Sequence, residues 1–370
     1  MKLKLGCALV VMVAIALSTV PAHAAAGAVY TMDNSSSGNN VLMYSRSVDG
    51  QISQIGVFST GGTGTGKGLG SQGALAIDAS NRFLFVVNAG SNDISVFRIG
   101  ANSLNLVGHT ASGGTLPISL TVHDNILYVL NNGGAVGGSD TIAGFRVGGN
   151  GHLMPIVHGL SLSGQSVSPP QIGFNVEGNL LLVTEKSTNN IDVFAVDDDG
   201  TATGPTVHVS AGQTPFGFAF GKRDELFVSD AFSGTANAGA VSSYVIPENG
   251  VLRTVTGIAD DNQTAPCWVA LTNDDRFAYT TNTGSGVVSG YRVGFNGALQ
   301  LLNANGQTAT TGTGSGPIDL GISNDSQFVY VLAPGTGIIE GFAISSSDGS
   351  LFPVTQASSL PSSATGLVAR

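Results

Sequence analysis

The chain has 370 residues, 53 of them glycine and only 10% charged, with 24 acidic residues against 14 basic ones. An acidic chain without a Lys/Arg cluster is a poor match for proteins that grip nucleic acid or anionic membrane surfaces. So many glycines with so few charges suit short strands joined by tight turns.

In chain order, Lys2 and Lys4 precede the apolar run LGCALVVMVAIALSTV, and Ala22-His23-Ala24 offers a small-residue cleavage site. Residues 1–24 therefore read as an export signal and 25–370 as one mature domain, destined for the periplasm or the exterior. Cys7 leads the apolar run instead of following it, which argues against a lipid-attached cysteine. Removing Lys2 and Lys4 from the 14 basic residues leaves 12 against 24 acidic ones, a formal charge of −12. Cys267 is then the one cysteine left, so no intramolecular disulfide can form and stability must come from burial. No later apolar run is long enough to span a bilayer, so no membrane insertion is expected.

From residue 39 onward one segment type recurs seven times: NNVLMYSR, NDISVFRI, DTIAGFRV, NNIDVFAV, GAVSSYVI, GVVSGYRV and GIIEGFAI. Its aromatic falls at Tyr44, Phe97, Phe145, Phe194, Tyr244, Tyr291 and Phe342, 47 to 53 residues apart. Two strands precede each copy, as in TPFGFAF followed by LFVSD, and a dipeptide such as Asp49-Gly50, Asn150-Gly151 or Asp348-Gly349 closes a hairpin onto a fourth. Only Asn102-Ser103 departs from that turn chemistry. Four antiparallel strands per fifty-residue unit make a propeller blade, and seven units predict an all-β, seven-bladed propeller. AVYTMDN at the start of the mature chain reads as a second strand and PSSATGLVAR at its end as a first strand. Pairing them completes one blade from both termini and closes the ring without an open edge.

Between the first two blades lies STGGTGTGKGLG, whose spacing imitates a phosphate-binding loop. Gly68 follows Lys67 where Ser or Thr must hold Mg²⁺, and the sequence beyond reads as strands, with no helix to face the phosphates. The stretch is read as a connection crossing a rim, with glycine supplying the backbone freedom.

The loops after each second strand and before each first strand emerge on one face. The residues ending the second strands are Asp33, Asn88, Asn131, Glu185, Asp230, Asn282 and Ala333. Asn and Asp are common turn starters, but Glu185, followed by Lys186, is not. Two acids beside a lysine can activate water and hold an oxyanion, which makes Glu185, Asp230 and Lys186 the candidate catalytic set. Asn282, Asn131, Asn88, Gln171, Trp268 and Asp319 are candidates for substrate binding on the same face. A Ca²⁺ ion in the channel is the competing account of convergent acids; no other cofactor is implied. The mature histidines are scattered, no G-x-S-x-G elbow occurs, and Cys267 reads as a small buried residue.

Through DASNRFLFVVNAGSNDISVFRI, TNDDRFAYTTNTGSGVVSGYRV and SNDSQFVYVL, the whole mature chain resembles the lactonase-type seven-bladed propellers, which include 6-phosphogluconolactonase and carboxymuconate cyclase. The family's Pro-His-x-His reads Pro170-Gln171-Ile172 here, and its Gly-Pro-Arg-His reads Thr214-Pro215-Phe216-Gly217. The Glu ending its fifth blade's second strand corresponds to Asp230. The resemblance thus implies ring opening of a small neutral or weakly charged lactone by a monomer, with Asp230 or Glu185 activating water and Lys186 and Asn282 stabilising the oxyanion. The alternative is a non-catalytic propeller binding a sugar, peptide or protein partner through the same face.

Overall fold

The structure is a computed structural model that describes residues 25–247 and 249–370. The proposed export signal lies outside the described residues. Strands pair antiparallel into seven sheets, each ordered from an inner to an outer strand. Blade 5 shows the pattern: Pro215–Phe220, Glu225–Asp230, Ala240–Val245 and Arg253–Asp260. Blade 6 departs from four strands, because its outer position is shared by Leu299–Leu301 and Ala309–Thr310, both paired with Val287–Val293. Ring closure follows the expected route: Thr365–Ala369 pairs with Ala25–Met32, joining the last strand to the first.

The second and third strands are buried because each is covered by a neighbouring blade. Phe83–Asn88, Leu180–Glu185, Glu225–Asp230, Phe277–Asn282 and Phe328–Ala333 are buried at every position. Outer strands such as Ala202–Val209 are largely exposed. Gly50, Gly151, Gly200, Gly250, Gly297 and Gly349 have positive φ in the hairpin turns, as the dipeptides predicted.

These turns also join the blades. A Cβ on Gly151 would lie 2.6 Å from the Phe83 ring of the preceding blade, and one on Gly349 would lie 2.5 Å from Phe277. Tyr128, Tyr279 and Tyr330 donate their hydroxyls to the carbonyls of Gly200, Gly349 and Gly50 in the following blade, at 2.7, 2.8 and 2.9 Å. Each such bond is worth about 1 kcal/mol net, and it also gives a buried phenol its partner.

The inner strands surround the central channel, and their burial is graded along it. Pro117–His123, Pro215–Phe220, Pro266–Leu271 and Thr365–Ala369 begin buried and finish partly exposed. The channel wall is therefore covered where the inner strands start and accessible where they finish.

Candidate functional site

Five of the residues expected around an open mouth, Asn88, Asn131, Glu185, Asp230 and Asn282, have no exposed surface at all. Each side chain is covered by the connection arriving from the preceding blade. Asn131 donates to Ser112 O, and Asn282 to Ser289 Oγ. A Cβ on Gly62, Gly114 or Gly212 would come within 2.5, 2.6 and 2.1 Å of the Cγ of Asn88, Asn131 and Asp230, so only glycine lets the connection lie this close. The expectation that Glu185, Lys186, Asp230 and Asn282 line a common funnel is corrected by this packing: they occupy separate sealed slots between blades, except Lys186. Asp33 also shifts, because the strand ends at Met32, opposite Val41.

The acidic slots have their own electrostatics. Ser163 Oγ donates to both Glu185 oxygens at 2.8 and 2.7 Å, and Ser163 N donates to Asp192 Oδ2 at 2.8 Å. Burial, and then Glu185, push the Asp192 carboxyl above the ordinary carboxylate range. Burial likewise pushes Asp230 up to about 8, against the opposing pull of the Ser242 and Ser210 hydroxyls. Among the described residues, no group of three or more His, Cys, Asp or Glu gathers to hold a metal ion.

Lys186 faces the mouth. Its Nζ is 4.6 Å from the centre of the Phe216 ring and donates to Gly70 O at 3.2 Å, and burial lowers its pKa. Phe216 packs against Trp268 with centroids 5.2 Å apart, and Trp268 is only 2% exposed. Beside them Cys267 is buried, its thiol pushed up to about 11, so it is a poor nucleophile.

Gln171 and Asp319 both border the channel, from blades 4 and 7. Gln171 carries its carboxamide to the next blade, where Nε2 donates to Phe218 O at 3.0 Å and Oε1 accepts Phe218 N at 2.6 Å. Asp319 accepts Leu320 N at 2.8 Å and Leu367 N at 3.1 Å, while burial holds its carboxyl well above the ordinary range. The third member is Gln72, which the sequence reading missed. It enters from the glycine-rich connection, and its Nε2 donates to Val269 O at 3.1 Å, across the ring in blade 6.

These three groups border a channel cavity of about 240 Å³, walled by residues that include Leu75, Leu120, Phe174, Phe218, Phe220 and Leu367. A cleft whose wall combines apolar side chains with several polar groups, one of them a perturbed carboxyl, is a candidate small-molecule site.

A seven-bladed ring closed by its own termini around such a channel defines the class, and comparison with known families supplies the rest. The sequence model of the family described as "Lactonase, 7-bladed beta-propeller" matches residues 22–133, 118–220 and 209–364, so this chain belongs to that family. Among solved structures it is similar to a putative 6-phosphogluconolactonase of Bacteroides fragilis, with 17% identity and a TM-score of 0.74 over 95% of this chain and 99% of that one. It is also similar to the periplasmic gluconolactonase PpgL of Pseudomonas aeruginosa, with 18% identity and a TM-score of 0.74 over 93% and 98%. A Lactobacillus plantarum protein gives 15% identity and a TM-score of 0.74 over 93% and 99%. At these identities the likeness to solved structures shows the fold alone. No curated protein matches the chain significantly. Among the described residues no helix is long and apolar enough to cross a membrane.

Proposed function

We propose that this chain binds a small, uncharged lactone in the central channel and opens its ring. The observation that carries this reading is the 240 Å³ cavity with Gln72, Gln171 and Asp319 on its border. In the reaction, water attacks the ester carbonyl carbon, the ring C–O bond breaks, and the departing alkoxide takes a proton to leave a hydroxy acid. Asp319 is the acid: burial holds its carboxyl well above the ordinary range, so it keeps a proton to give to the departing alkoxide and regains one from the water that attacked. Gln72 and Gln171 each have a second N–H for the developing oxyanion. The family's Arg/His set is absent, which suits a neutral lactone better than a phosphorylated one. Glu185, Asp230 and Asn282 then serve the frame, and Lys186 serves the mouth. Export to the periplasm or exterior belongs to the same proposal, resting on residues 1–24 and on the family likeness.

Binding without turnover is the second reading. It is favoured by the two backbone N–H groups that Asp319 already accepts. Acid release from a panel of lactones, measured beside binding by Trp268 fluorescence, separates the two. Turnover that Asp319→Asn abolishes while binding persists supports hydrolysis. Binding with no turnover leaves the second reading, and a panel that neither binds nor reacts removes both.

A further inference from the structure

At the start of three inner strands a side chain ties its blade to the next. Ser119 Oγ accepts Ile172 N at 3.2 Å, Gln171 pairs with both backbone groups of Phe218, and Asp319 accepts Leu367 N. In blade 5 the corresponding residue is Gly217, which has no side chain to reach Val269. Gln72 does so instead, with Nε2 donating to Val269 O at 3.1 Å and Oε1 accepting Val269 N at 3.4 Å. A Cβ at Gly217 would lie 2.3 Å from Gln72 Oε1, so the glycine leaves the room that the carboxamide fills.

The rest of the connection is fastened across the mouth in the same manner. Ser71 Oγ donates to Ile118 O at 2.7 Å, Gln72 N to Pro170 O at 3.0 Å, and Lys186 Nζ to Gly70 O. Leu69 packs against the two apolar clusters that span blades 1 to 4. One segment from the blade 1–2 junction thus touches blades 3, 4 and 6 and covers the channel on that side.

We propose that the connection from Thr60 to Gly73 is a stopper, and that the slot between Gly217 and Val269 is a carboxamide-binding site whose resident occupant is the protein's own Gln72. Small molecules then enter the channel from the end where the inner strands finish. A free molecule bearing a primary carboxamide, with one acceptor and one donor to set against Val269 N and O, is the chemical class that fits the slot. This holds whether or not the channel hydrolyses a lactone.

The chain has a single tryptophan, Trp268, next to Val269, so its fluorescence reports on the strand that carries the slot. Iodide quenching of the full chain should be weak in the wild type and rise several-fold in Gln72→Ala. Propionamide should return the variant toward wild-type protection, and propionate, which lacks the N–H donor, should not. Gln72→Glu keeps the size but loses the donor to Val269 O, and it should fall between the two. It supplies the reading if circular dichroism shows Gln72→Ala unfolded. Unchanged quenching in both variants overturns the stopper. Raised quenching that propionamide fails to reverse, or that propionate reverses equally, overturns the carboxamide site. No lactone is used, so failure here leaves the turnover test standing.

Discussion

Blades 2 and 5 place different chemistry in the same slot. Asn88 and Asp230 both end a second strand, with Ser95 and Ser242 two residues beyond their partners on the third strand. Both lie beneath a glycine, Gly62 and Gly212, that allows no Cβ. Asn88 is well supplied: Oδ1 accepts Asn39 Nδ2 at 2.9 Å, and Nδ2 donates to Asp93 Oδ1 at 2.5 Å and Ser95 Oγ at 2.7 Å. A carboxylate can donate nothing, so in blade 5 the hydroxyls of Ser210 and Ser242 must turn to donate, and burial raises Asp230 to about 8. Blade 4 goes further, with Glu185 and Asp192 sharing one slot. A sealed position tolerates an amide through hydrogen bonds, but it tolerates an acid by keeping its proton.

Exchanging the two chemistries is the strongest test. Asn88→Asp removes two donor bonds and sets a new acid against Asp93, and it should cost about 3 kcal/mol at pH 7, read as a lower urea midpoint. The cost should shrink toward pH 4 as the new acid keeps its proton. The reverse change, Asp230→Asn, should stabilise by about 2 kcal/mol at pH 7. The folded carboxyl titrates near 8 and the unfolded one near 4, so between those values the folded state holds a proton that the unfolded state has released. Wild-type stability should therefore fall as pH rises from about 4 to about 8, and the slope should be shallower in Asp230→Asn. An identical slope would show that Asp230 is ionised in its slot. The smallest effect is expected from Ser163→Ala, which removes the hydroxyl shared by the Glu185 oxygens and leaves Ser163 N on Asp192. A loss of about 1 kcal/mol, seen as a small drop in Tm, is the expected outcome.

Most of the fold was legible because its signals are local. An aromatic every fifty residues, a two-residue turn after it and complementary strands at the two ends need no knowledge of distant contacts. The split outer strand of blade 6 was not legible, since Leu299–Leu301 is an ordinary outer strand in isolation. The candidate site was read only in part. Gln171 and Asp319 were placed on the right strands, but Glu185, Asp230 and Asn282 were aimed the wrong way. Register shifts between Pro117 and Ser119, Pro215 and Phe218, and Pro266 and Trp268 change which way the inner strands present their side chains, and the proline that leads each of them is the one local signal of it.

The sequence by itself determined the seven-bladed ring, its hairpins and its closure, because strand alternation and turn chemistry act over a few residues. Only the tertiary structure decided where the polar groups go. Whether a strand-end acid meets water or a neighbouring connection depends on how closely two blades approach, which glycines such as Gly212 control. In the same way a glycine-rich connection became a stopper because Gln72 finds Val269, 197 residues further along the chain, and only the closed ring brings the two within a hydrogen bond.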